Sequence, residues 1–490
     1  MPAAQPNVLL ICVDQWPGSL LGVAGHPCLM TPNLDRLAAS GVLFTNAYSA
    51  APVCTAARRG LMTGLTPRSH GDRVYSERLP MPDVPTLAET FCRAGYQAYA
   101  VGELHVFPPR SRIGFCDVIL DEAGRRHLGT EADDYELFLA AEGYVGQEYT
   151  HAISANSYMT RTWHLPEYLH PTNWTVYEMC RTIKRRDPTR PALWYMSFRT
   201  PHPPLVPPAP YMDLYRDAAI PEPYVGDWAA DPPRLPYALQ VRRDRWPPLK
   251  SPELRLARQA FYAACTHIDH QIALVIGTLR EEGLLDDTII CFLSDHGDML
   301  GNHGLYAKQL FYQDSARIPL IIVPTADYRH LGHHRVDDRL VEIRDVMPTL
   351  LDMAGIAVPG TVEGVSLISG ARRDHLYGEM GEGDVATRML RSLRFKLVYY
   401  AAGNRSQLFD LQEDPNELHD LSDDPAHAGV RQDLTRRLVE HLYGDDQNWV
   451  KDGALVGLPD RRYEPGPDRG LNNQRGWRFA GSVSRATTRV

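Results

Sequence analysis

The chain has 490 residues, 44% of them hydrophobic, with 51 basic and 60 acidic side chains and a formal charge of −9. At about 100–200 residues per domain, this length suggests two to four domains, or one large α/β core with an appendage. The composition excludes a disordered, collagen-like or disulfide-stapled protein, and net acidity argues against nucleic acid as the main partner.

The first residues lack a basic segment and run directly into Val8-Leu9-Leu10-Ile11-Cys12-Val13, which ends at Asp14. This short, nearly all-apolar run reads as a strand buried on both faces, not as a signal peptide. No stretch approaches the ~20 apolar residues of a membrane span. Thr31-Pro32 opens a helix, with Thr31 as N-cap, and Gly41 closes it. Residues 42–48 form the next strand, 85–94 a helix stopped at Gly95, and 96–101 and 192–198 two further strands.

The clearest unit lies between 254 and 295. Ala257, Phe261, Ala264, Ile268, Ile272 and Ile276 recur at helical spacing over about seven turns, and residues 289–293 follow as a buried strand. Helices between buried strands imply a large, mostly parallel sheet sandwiched by helices. Fourteen of the 39 prolines fall between Pro201 and Pro252, among Tyr, Trp and Arg; this segment is read as an ordered excursion without regular structure, over the sheet edge. From about 375 the texture becomes α+β, with an antiparallel hairpin at 394–411 and a helix at about 427–443. The expected organisation is a catalytic domain over 1–375 with a Pro-rich insert at 203–252, a C-terminal antiparallel-sheet and helix module over 376–445, and an irregular tail over 446–490.

The eight cysteines show no CxxC or zinc-like spacing, and Cys12 and Cys291 sit in strand-like runs as small core residues. A reduced, cytoplasmic chain is expected. Only five of the 51 basic residues are lysine.

Four buried strands end in chemically capable residues: Asp14-Gln15, Glu103-Leu104-His105, Arg199-Thr200-Pro201-His202 and Ser294-Asp295-His296. Taken singly, each Asp has a bland reading as turn former or helix cap. In a parallel sheet, however, these ends share one edge, and ligands bind in the crevice there. Asp14 and Asp295 with imidazole and oxygen neighbours would suit a divalent cation. A second constellation is Pro52-Val53-Cys54-Thr55-Ala56-Ala57-Arg58. It places Cys54 at a helix N-terminus that favours anions, with Arg58 one turn on along the same face.

Cys54-Thr55-Ala56-Ala57-Arg58, with Leu61-Met62-Thr63-Gly64 after it, resembles the Cys-x-Pro/Ala-x-Arg signature of type I sulfatases of the alkaline phosphatase superfamily, in particular bacterial arylsulfatase- and choline-sulfatase-like members. Residues 7–15, 31–38, 198–204, the run Ser294-Asp295-His296-Gly297-Asp298 to Gly304, Lys308, residues 317–322 and 407–417 resemble the same family in the expected order. The resemblance implies an alkaline phosphatase-like fold and hydrolysis of small-molecule sulfate esters. Cys54 would be converted to formylglycine by a formylglycine-generating enzyme, a transient partner. Its hydrate would attack sulfur with one hydroxyl and expel sulfate with the other.

The implied ligands of a divalent ion are Asp14, Gln15, Asp295, His296 and residue 54, with Ca²⁺ first and Mn²⁺ or Mg²⁺ as alternatives. Arg58 would stabilise the hydrate, Lys308 bind sulfate, His202 act as acid at the leaving oxygen, and His105 act as base. Three residues depart from the pattern. Glu103 stands where the family commonly has lysine, so that it would meet an arginine or a cationic substrate. Gln15 stands where many members have Asp, and Ala56 where Pro is commonest. Asp14-Gln15 with Asp295-His296 also resembles phosphonate monoester and phosphodiester hydrolases. The alternatives are therefore that chemistry with the same nucleophile, or an anion-binding homologue impaired in catalysis. Homo-oligomerisation is an open expectation.

Overall fold

A computed structural model describes residues 5–122, 125–129, 132–246, 248–326 and 334–464. Strands β1 (Asn7–Asp14), β2 (Val42–Tyr48), β3 (Gln97–Gly102), β4 (Asp117–Leu120), β5 (Ala192–Pro201), β6 (Thr288–Ser294), β7 (Arg317–Ile318), β8 (Leu320–Val323) and β9 (Arg335–Glu342) build a nine-stranded sheet. Its order is β4-β3-β5-β1-β6-β8-β2-β7, with β9 also pairing with β2. From β4 to β6 every pairing is parallel, and β7 and β8 run the other way.

The apolar run of β1 is explained by its neighbours. Leu9, Ile11 and Val13 enter the core on one face of the sheet, and Val8, Leu10 and Cys12 the core on the other. A strand covered on both faces has no solvent side on which to place polar residues.

Helix α1 (Pro32–Ser40) begins and ends as expected, but Thr31 does not cap it. Its hydroxyl donates to Asp35 Oδ1 at 3.0 Å instead. The first-turn N–H groups of Asn33 and Leu34 donate to Asp269 Oδ1, at 3.1 and 2.8 Å. Asp269 belongs to the long helix α3 (Ser251–Glu281), so the cap comes from a distant element. That helix has 31 residues and starts earlier than the apolar period suggests, with a proline in its first turn, where a missing N–H costs nothing. Between α1 and α3 in the chain, helix α2 (Cys54–Thr63) carries the cysteine motif.

The Pro-rich insert does contain regular structure, contrary to expectation. Short helices span Ala209–Leu214 and Tyr237–Arg245, and Pro208, Pro210 and Pro236 occupy cap or first-turn positions that helices tolerate. Trp228 of the insert stacks on Tyr312 at 4.7 Å between centroids, with planes 16° apart.

Strands β10 (His375–Met380), β11 (Thr387–Ser392), β12 (Phe395–Tyr400) and β13 (Arg405–Asp410) form a separate four-stranded antiparallel sheet. Helix Ala428–His441 lays Leu434 and Leu438 against Leu390, Leu397 and Leu408 of that sheet. The first part of the expected irregular tail is also ordered into a short ladder of Val450–Lys451 with Ala454–Leu455, while 465–490 lie outside the described residues. Among the described residues, no helix is long and apolar enough to cross a membrane.

Candidate active site

The parallel register brings the carboxyl ends of β3, β5, β1 and β6 level. Gly102 pairs with Ser197, and Val13 with Ser294. The four polar clusters read from the sequence therefore meet at one edge, and α2 points its N-terminus at them. Cys54 is the first residue of α2, preceded by extended Val53, and is buried.

Asp14, Cys54, Asp295 and His296 converge there, with one donor atom of each within 4.8 Å of the others and all four residues buried. Cys54 Sγ lies 3.2 Å from His296 Nε2 and 3.7 Å from Asp14 Oδ1. His296 Nε2 is 3.5 Å from Asp14 and 3.7 Å from Asp295. His296 Nδ1 is 3.0 Å from the Gly297 carbonyl, which can only accept. Nδ1 therefore carries the proton, and Nε2 turns its lone pair into the cluster. Burial, together with Asp295 and Glu103, raises the Asp14 carboxyl to about 7. Burial opposes ionisation of Asp295 as well, but His296 and Arg58 hold its carboxyl below the usual range. The Cys54 thiol is raised well above its ordinary value by burial and by Asp14.

Arg58, one turn along α2, lies across this cluster. Its Nε donates to Asp295 Oδ2 at 2.9 Å and one terminal nitrogen donates to Ser197 Oγ at 2.7 Å. The other terminal nitrogen donates to Glu103 Oε2 at 2.6 Å and lies 3.9 Å from Asp14 Oδ2. The arginine that neutralises Glu103 is thus the arginine of the cysteine motif itself. Burial still lifts the Glu103 carboxyl to about 7, against the pull of Arg58.

The loop presenting Glu103 and His105 is tightly shaped. Gly102 has φ +99, and a Cβ there would sit 1.9 Å from the Ser197 carbonyl oxygen, so only glycine fits. His105 has φ 57, and its N–H and that of Leu104 both donate to Glu122 Oε1 at 2.9 Å. Burial, reinforced by Arg125, pulls the His105 imidazole down to about 3, so it is neutral.

Lys308 is buried, and its Nζ donates to Gln15 Oε1 at 2.6 Å. Gln15 Nε2 donates to Asp298 Oδ2 at 2.5 Å, and Tyr158 OH donates to the same oxygen at 2.5 Å. The Gln15 side chain thus tethers Lys308, while its backbone N–H donates to Asp295 Oδ1 at 3.1 Å. His202 Nδ1 donates to the Pro203 carbonyl at 2.7 Å, leaving Nε2 as its acceptor. Burial and Lys308 hold this imidazole well below its usual range.

Asp14, Cys54, Glu103, His105, His202 and Lys308 all line one cavity of about 270 Å³. Tyr149, Trp163 and Trp246 form an aromatic part of its wall, and the Pro-rich insert contributes Pro203, Pro204 and Arg245. Tyr158, Glu122, Tyr149 and Trp163 escaped the sequence reading, whereas Trp246 and Arg245 belong to the aromatic, Arg-bearing insert. Tyr158 and Tyr149 sit in an irregular stretch with no period, and Glu122 follows a strand of only four residues.

Residues 6–356 match the family model of sulfatases, and 301–443 that of the C-terminal part of N-sulphoglucosamine sulphohydrolase. The chain belongs to the sulfatase family, enzymes of the alkaline phosphatase superfamily. It is 35% identical over 474 residues to an arylsulfatase of Clostridium perfringens, covering 93% of this chain and 98% of the relative. It is 31% identical over 449 residues to a choline-sulfatase of Rhizobium meliloti, covering 87% and 84%. The fold matches that of the phosphonate monoester hydrolase of Agrobacterium radiobacter with a TM-score of 0.76, at 24% identity, over 91% of this chain and 98% of that one.

Proposed function

We propose that this protein hydrolyses small-molecule sulfate esters, with residue 54 as the seat of the nucleophile. The observation that carries the reading is the convergence of Cys54 with Asp14, Asp295 and His296 at a helix N-terminus, beside buried Lys308. In this reading a formylglycine-generating enzyme converts Cys54 to formylglycine, whose hydrate offers one hydroxyl to attack sulfur and another to expel sulfate.

The donor set fits a divalent cation. Two buried carboxylates crowd an imidazole whose Nε2 lone pair already faces them. Asp14, Asp295, His296 and residue 54 would hold the ion, Ca²⁺ first, with Mn²⁺ or Mg²⁺ as alternatives. Its chemistry is Lewis acidity, which lowers the pKa of a hydroxyl on residue 54 and polarises ester oxygens. Gln15 has its amide oxygen engaged by Lys308, so its part is to orient that ammonium.

The remaining steps fall to this chain's own groups. Lys308 orients the anionic ester by charge. His202 is neutral beside Lys308, and an arriving anion offsets that ammonium, so the imidazole gains the proton it passes to the leaving oxygen. Neutral His105 can take a proton from the second hydroxyl, and Arg58 holds Asp295 and Glu103 in place.

The test is turnover of an aryl sulfate by protein whose residue 54 has been weighed by peptide mass spectrometry. Modified protein that fails to turn over any sulfate ester refutes the reading. The pairing of Gln15 with His296 favours one second reading, hydrolysis of phosphonate monoesters or phosphodiesters by the same nucleophile. Faster turnover of aryl phosphonates than of aryl sulfates would select it. Unmodified Cys54 from a host able to install formylglycine would instead leave an anion-binding homologue.

A further inference from the structure

We infer that Asp14, Glu103 and His105 form a second divalent-cation site, which shares Asp14 with the first. One donor atom of each of these three residues lies within 4.8 Å of the others, in the same cavity as Cys54. Asp14 has two carboxylate oxygens and so can serve both sites.

Three observations point to a cation here. His105 Nδ1 is buried and has no hydrogen-bond partner, in a side chain only 8% exposed. It stands 2.9 Å from Glu103 Oε1 but is misaligned for a hydrogen bond to it. Two lone-pair donors at that separation, neither bonding the other, are arranged to bind a third body. Second, Arg58 occupies only Glu103 Oε2 and leaves Oε1 facing His105. A carboxylate oxygen of Asp14 also lies within 4.8 Å of one of Glu103. Third, the place is built rather than incidental. Gly102 admits no side chain, and Glu122 holds the N–H groups of Leu104 and His105, which fixes the left-handed turn that aims the imidazole inward.

Two carboxylates and an imidazole suit a borderline ion such as Mn²⁺ or Zn²⁺. Two cations joined by one carboxylate can clamp both the attacking and the leaving oxygen of a displacement. A nitrogen that ligates cannot also take a proton, so occupancy of this site would relieve His105 of the role of base.

This inference rests on the proposed function only through Asp14, and its test reads metal rather than turnover. Full-length protein is equilibrated with excess Mn²⁺, desalted, and examined by elemental analysis and electron paramagnetic resonance. Wild type should hold two Mn²⁺ per chain with an exchange-coupled spectrum. Glu103→Gln and His105→Phe should each hold one, with an isolated six-line signal. If Glu103→Gln fails to fold, by circular dichroism, His105→Phe decides alone. One Mn²⁺ per chain in wild type overturns the second site and leaves the first standing. A coupled spectrum that survives in His105→Phe also overturns it. Protein that binds no Mn²⁺ at all refutes the first cation as well.

Discussion

Arg58 and Glu103 form an ion pair at 2.6 Å with each side chain 2% exposed, joining the cysteine-motif helix to the end of β3. Glu103 is therefore a structural partner of the motif arginine. Removing one member of a buried pair costs about 3 kcal/mol where the other is left uncompensated, but Arg58 keeps Asp295 at 2.9 Å. Glu103→Gln should therefore lose less than that by urea unfolding. Glu103→Lys should lose more, because it sets two cations together. A lysine variant as stable as wild type would show that the pair is dispensable.

Lys308→Ala should lower kcat/KM for the preferred ester by about 10²–10³-fold, the scale of losing one charged stabiliser. Its circular dichroism and metal content should stay near wild type. Tyr158→Phe acts further back. It removes the hydroxyl that bonds Asp298, and through Asp298 and Gln15 it loosens Lys308. A decrease smaller than that of Lys308→Ala is expected, and steady-state kinetics on the two variants ranks them.

Chelation should destabilise the wild type. A ligand held at 100 times its dissociation constant stabilises the folded state by about 2.7 kcal/mol. Adding a chelator should therefore lower the unfolding midpoint, and restoring the metal should raise it again. Asp295→Asn removes a donor of the first site, so its midpoint should respond much less to either treatment.

Acid sensitivity has a contributor just behind the cavity wall, where His267 packs on His170. His267 of α3 is fully buried with neither ring nitrogen hydrogen-bonded, and burial, with His270, takes its imidazole down to about 3. The folded pKa lies below the unfolded value of 6.5, so the unfolded chain binds more protons below pH 6.5. This residue's stabilising contribution is complete above pH 6.5 and declines as pH falls towards 3, by up to about 1.4 kcal/mol per pH unit. His267→Phe should flatten the stability profile between pH 6.5 and 4. An unchanged slope would assign the acid loss elsewhere.

The central strands and α2 were legible because burial on both faces leaves an unbroken apolar run, and because Pro52 with the alanines after it marks a helix start. The meeting of Asp14 with Asp295 was also legible, since parallel strands bring their ends to one edge. Other features depend on contacts that no local pattern encodes. Asp269 caps α1 from 235 residues away. The partner of Glu103 depends on how the Arg58 guanidinium spans the cluster. Strand β9 alternates irregularly and carries five charged residues, so its pairing with β2 left no periodic trace.

On the proposed reading, the depth of Cys54 sets a schedule for its conversion. The residue is only 3% exposed, and its neighbour His296 lies 242 positions later in the chain. A modifying enzyme can reach the thiol only before β6 arrives to close the sheet over it. At about 5–20 residues per second of synthesis, that interval lasts roughly 10–50 s. Conversion as proposed would thus be a race against folding, and slower translation of the stretch between α2 and β6 would raise the modified fraction without altering one residue of the finished protein.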